Sequence, residues 1–96
     1  AVGLADRWSC IHTSDVADTA IDFARAGDRV TVSGQVLTTE GDPVELVELR
    51  ADGELVVQAD LDPFGQFSFG VVDPGGYQVL VFLAGATMRV DLVVDP

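Results

Sequence analysis

Asp52-Gly-Glu-Leu-Val-Val-Gln-Ala-Asp-Leu-Asp-Pro-Phe-Gly-Gln-Phe-Ser-Phe-Gly-Val-Val-Asp-Pro-Gly-Gly-Tyr-Gln-Val-Leu-Val-Phe-Leu83 holds three short apolar runs, each preceded by a turn signal. Such spacing belongs to consecutive antiparallel strands of a sandwich or barrel. Asp52-Gly53 supplies the positive φ that a type I′ hairpin turn needs. In Asp62-Pro-Phe-Gly65 the proline presets φ and lacks a donor, and the glycine tolerates the left-handed region. Asp73-Pro-Gly-Gly76 punctuates the third junction. Between the turns, Leu55, Val57, Ala59 and Leu61 line one face, and Phe67, Phe69 and Val71 continue that inward row. Tyr77 to Leu83 is apolar on both parities, so it reads as a central strand that is covered on both sides or meets a partner on one.

Outward from this stretch, Gly85 marks the last turn, and Met88, Val90, Leu92 and Val94 form the inward row of a terminal strand with Arg89 and Asp91 outward. Upstream, Val44 to Arg50 does not alternate cleanly: Val44 and Leu46 share one parity, Val47 and Leu49 the other. A β-bulge near Leu46-Val47 would reconcile them. The polar segment Thr38 to Pro43 reads as a loop, and Arg29 to Leu37 as a strand with β-branched residues alternating with polar ones. Thr19 to Arg25 reads as a strand, the alternative being a helix with the stripe Val16, Ala20, Ile21 and Ala24. Ser14-Asp15 reads as a turn or helix start whose side chains accept from backbone N–H groups. Arg7 to His12 fits an edge strand. The expectation is an all-β, seven- to eight-stranded antiparallel Greek-key β-sandwich, with residues 1–18 as an N-terminal arm or edge strand and residues 19–96 as the sandwich domain.

With 96 residues there is room for one core and not two. A hydrophobic fraction of 48% speaks against disorder, and no apolar run approaches the length needed to span a bilayer, so membrane insertion is not expected. No basic, apolar and cleavage-site sequence opens the chain, so no signal peptide is expected within it. Sixteen acidic residues against five arginines, with no lysine, give a formal charge of −11. That field repels phosphate backbones and anionic lipid headgroups, which disfavours nucleic acid as a partner. Cys10 stands alone, so no intramolecular disulfide can form, which inclines the reading toward a cytoplasmic chain. Trp8, Cys10 and His12 alternate and can share a strand face, where a small thiol most often packs into a core.

The inventory for chemistry is thin. One His and one Cys cannot complete a structural zinc site, and His12 has no serine in a nucleophile-elbow context to act on. No catalytic residue, metal ligand or cofactor is therefore expected. Asp60-Leu-Asp62-Pro-Phe-Gly65 has the opening of a calcium loop, but Phe64 stands at its fifth position and Val71 where the bidentate Glu belongs. Asp62 is expected instead to cap its own turn. Glu48 and Arg50 are expected to form an exposed pair contributing at most about 1 kcal/mol.

Gly34-Gln35-Val36, Gly41-Asp42-Pro43-Val44, Asp62-Pro-Phe-Gly65-Gln-Phe67-Ser-Phe69 and Pro74-Gly-Gly-Tyr77-Gln-Val79 together resemble the carboxypeptidase regulatory-like family, a transthyretin-type β-sandwich. The resemblance covers about two-thirds of the chain and implies a non-catalytic appendage. Val57-Gln58-Ala59-Asp60 and Gly65-Gln66-Phe67 also resemble small acidic actinobacterial proteins found alongside sigma factors, which would imply an accessory role in sigma-factor or stress signalling. The catalytic and self-crosslinking relatives of such sandwiches need several histidines, two tyrosines with two histidines, or a lysine, and this chain has none of these sets.

Two functional classes follow. The first is a non-catalytic module for protein–protein interaction or self-assembly, using an apolar sheet face or an edge strand. Its candidate surface is the second apolar parity, Val56, Leu80, Phe82 and Val93, which is either covered by the N-terminal segment or open to a partner. The second is a carbohydrate- or other ligand-binding module, with Trp8, Phe64 and Tyr77 as stacking platforms.

Overall fold

A computed structural model describes residues 6–38 and 43–95. Residues 39–42, which hold the Gly41-Asp42 part of the expected loop, and the first five residues of the expected arm lie outside the described residues. The described chain forms eight strands: β1 (Arg7–Thr13), β2 (Ala17–Ala26), β3 (Arg29–Thr38), β4 (Val44–Ala51), β5 (Glu54–Ala59), β6 (Gln66–Val72), β7 (Gly75–Leu83) and β8 (Ala86–Val94). They build two four-stranded antiparallel sheets, ordered β1-β2-β3-β6 and β5-β4-β7-β8. β6 returns beside β3 and β7 beside β4, the non-consecutive neighbours that Greek-key connections produce.

Strict alternation fixes which face of each strand is inside. Ala17, Thr19, Ile21 and Phe23 of β2 are buried while Asp18 and Asp22 are exposed; Met88, Val90, Leu92 and Val94 do the same on β8 around Arg89 and Asp91. Val47 and Leu49 of β4 meet Val81 and Val79 of β7, all four fully buried. Burying one such side chain stabilises the fold by roughly 1.5–3 kcal/mol. The continuous apolar layer between the sheets, not the few surface ion pairs, therefore holds the domain together.

The first segment folds as strands and not as a helix. Ser14 Oγ accepts from the N–H groups of Val16 and Ala17 at 3.3 and 3.2 Å, turning β1 back onto β2. It also lies 3.0 Å from Met88 Sδ, which ties this turn to β8 of the opposite sheet. β1 is thus an edge strand of the first sheet, paired from Arg7↔Ala24 to Thr13↔Asp18.

Three β-bulges move residues off their expected faces. Val32 pairs with Gly70 and Ser33 with Ser68, so Phe69 is the extra residue on β6. Gly70, at φ 75°, makes this bulge possible. In consequence Val72, not Val71, continues the inward row behind Phe67 and Phe69. On β5, Leu49 pairs with Val57 and Arg50 with Leu55, leaving Val56 as the extra residue. Leu55, expected inward, lies beside Arg50 and is half exposed. On β4 the irregularity falls between Val44 and Leu46, one step earlier than expected, so Val44 packs against the core along with the fully buried Val47 and Leu49 while Leu46 turns outward.

Candidate interaction surface

The outer face of the second sheet is built from the residues of β4, β7 and β8 that alternate with the core row. Leu46 pairs with Phe82, and Glu48 with Leu80, so Leu46, Leu80 and Phe82 are neighbours on this face. All three are partly exposed. Among the described residues no element lies over them: β1 extends the other sheet beside β2, so the described part of the N-terminal segment does not cover this parity of β7.

The four residues singled out from sequence do not form one patch. Leu80 and Phe82 are together. Val93 pairs with Gly76, four residues along β7 from Leu80, which is roughly 13 Å away at strand rise. Val56 sits at the β5 bulge on the far edge of the same sheet. Both are well exposed, at 73% and 49%. Leu46 is the neighbour that sequence reasoning missed, because the parity conflict within β4 allowed either Leu46 or Val47 to be inside.

Polar groups frame the apolar trio. Arg50 Nε donates to Glu48 Oε1 at 2.8 Å, and its Nη1 donates to the Gly53 carbonyl at 3.0 Å, bracing the β4–β5 turn. The pair is less exposed than expected, with the Glu48 side chain only 12% accessible, because it lies within the sheet face beside Leu80. On β8, Arg89 Nε lies 3.2 Å from Asp91 Oδ1 in an exposed pair.

Among the described residues β8 is also an edge strand with no neighbour on its outer side. Its pairing with β7 runs without interruption from Leu83↔Ala86 to Gly75↔Val94. The other edges differ: β5 and β6 each carry a bulge, and β1 is two residues shorter.

The aromatic residues do not converge. Trp8 stacks on Phe23 with centroids 5.4 Å apart, and the Arg25 guanidinium carbon lies 5.7 Å from its ring centroid. Phe64 is at the β5–β6 turn beside Leu37 and Leu61. Tyr77 donates from its hydroxyl to the Asp73 carbonyl at 2.6 Å, and burial together with the Asp73 carboxylate pushes its phenol up, with Arg29 partly opposing. The three rings line three separate surface depressions.

Asp62 behaves as its turn requires: Oδ1 accepts from the N–H groups of Phe64 and Gln66 at 2.8 and 2.9 Å. Cys10 is exposed on edge strand β1, opposite Ile21, and not packed in the core as its residue type suggested. Partial desolvation of the thiol by its neighbours, and then the Asp22 carboxylate, push its pKa up, away from a reactive thiolate. His12 is half-buried on the same strand, opposite Thr19. Among the described residues no three His, Cys, Asp or Glu side chains gather closely enough to hold a metal ion. Nor is any described helix long and apolar enough to cross a membrane.

No family model, curated protein or solved structure matches the chain.

Proposed function

We propose that this domain is a non-catalytic β-sandwich module that binds protein, including further copies of itself, through its second sheet. One observation carries the reading: Leu46, Leu80 and Phe82 stand side by side on a sheet face over which no described element lies. Apolar neighbours left partly in water are the usual mark of an interaction surface. The Glu48–Arg50 pair beside them gives the face a polar rim, the arrangement that protein–protein patches adopt.

The test is the double variant Leu80→Ser, Phe82→Ser. Because both side chains point away from the core, the variant is expected to keep the fold by circular dichroism. It should lose the host proteins that the immobilised parent chain retains. Association undiminished by the double substitution would move the interaction off this face. Glycan binding, by contrast, would call for one platform, and Trp8, Phe64 and Tyr77 lie in three different places.

A further inference from the structure

We infer that the β8 edge pairs with the β8 edge of a second copy, antiparallel, about a two-fold axis passing between Val90 and its counterpart. The inference rests on the protein-binding reading above and names its partner and register. It begins with backbone geometry. The two-residue connection Ala84-Gly85 makes Leu83 and Ala86 a hydrogen-bonded pair, and such pairs alternate along an antiparallel ladder. Ala86, Met88, Val90, Leu92 and Val94 therefore spend their N–H and C=O groups on β7. Thr87, Arg89, Asp91 and Val93 direct theirs to the open side.

Only a register that sets these four residues against their counterparts joins two such edges. Centred on Val90, Thr87 meets the second copy's Val93 and Arg89 meets its Asp91, and the same contacts recur by symmetry. The pairing would form about eight interstrand hydrogen bonds and continue the sheet across the axis. Centring on Arg89 would oppose two arginines, and centring on Asp91 would oppose two aspartates; like charges directly opposite destabilise a ladder. The Val90 register converts two exposed Arg89–Asp91 pairs into a ring of four alternating charges.

Two properties favour a second copy as the occupant. Net charge −11 on each molecule opposes association at most faces, but the outer face of β8 from Thr87 to Val93 is neutral. The strand is also nine residues long and unbulged, without the bulge or proline that commonly blunts an edge. On the core side, Val90 meets Val90 and Met88 meets Leu92, so the apolar row runs on across the junction.

Sedimentation or light scattering of the intact chain up to millimolar concentration tests the pairing, using Asp91→Arg, Arg89→Asp and the combined swap R89D/D91R. These side chains are exposed, so thermal melts should show the fold intact. The parent is expected to dimerise, each single variant to weaken the dimer about tenfold, and the swap to recover it because unlike charges again face each other. Single variants as dimeric as the parent, or a swap that recovers nothing, would overturn the β8 register while leaving self-association through another surface. A parent that stays monomeric throughout overturns the β8 pairing, and protein binding by the Leu80 and Phe82 face is then decided separately by the serine variants.

Discussion

Among the described residues Thr19 is the one polar side chain fully buried in the core, and its Oγ1 finds no hydrogen-bond partner there. A buried hydroxyl without a partner loses its hydration and gains nothing in return. Thr19→Val keeps the shape and removes that loss, so it should raise stability by about 1 kcal/mol in a denaturant titration. Gly34 makes the opposite case. A Cβ there would collide with the Ala20 carbonyl oxygen and with the Phe67 ring that lies across it. Since both neighbours are fixed in adjacent strands, Gly34→Val should destabilise by ~3 kcal/mol or more in the same measurement. Both residues were plain in the sequence. Their roles were not, because each depends on an atom that arrives from another strand.

At the scale of elements, Gly70 separates what steric crowding does from what backbone conformation does. Nothing lies within 4 Å of a Cβ built there, yet its φ is 75°. Gly70→Ala should therefore cost about 1 kcal/mol of stability and leave the β3–β6 pairing in place, which amide exchange across Ser33 and Phe67 would report. The strands and turns themselves were legible in the sequence. Asp52-Gly53 adopts two positive φ values, as its type I′ reading required, and Asp62 caps its turn. Faces were legible only where no bulge intervened: β2, β3, β7 and β8 fit, whereas Leu55 and Val71 fell on the wrong side. A bulge shifts parity by one residue, and its position is set by the partner strand. Gly70 inside an apolar run was a local signal for one of them. The double apolar parity of Leu80 and Phe82 was likewise visible. That Val56 and Val93 lie apart from them followed from strand order, which single-strand patterns do not encode.

For the whole molecule the dominant long-range term is its charge. Sixteen carboxylates repel one another across a domain of 96 residues that holds only five arginines. Screening shortens that repulsion to within ~10 Å at 0.1 M salt. Moderate sodium chloride should therefore raise the melting temperature, with the largest gain at the lowest salt; a melting temperature that falls on adding salt would show that the pairs outweigh the net repulsion.

The order of the strands also sets a timetable for folding. β1, β2 and β3 form a local meander, but the first sheet is completed only by β6, whose Ser68 meets Ser33 after the chain has travelled through the other sheet. The β4–β5 hairpin takes up the intervening chain, so once it has formed, the loop that remains to be closed is shorter and its entropy loss smaller. This hairpin should be structured in the folding transition state. Gly53→Ala, which strains its turn far from the β3–β6 pairing, should act mainly by lowering the refolding rate, with the unfolding rate nearly unchanged in stopped-flow chevrons.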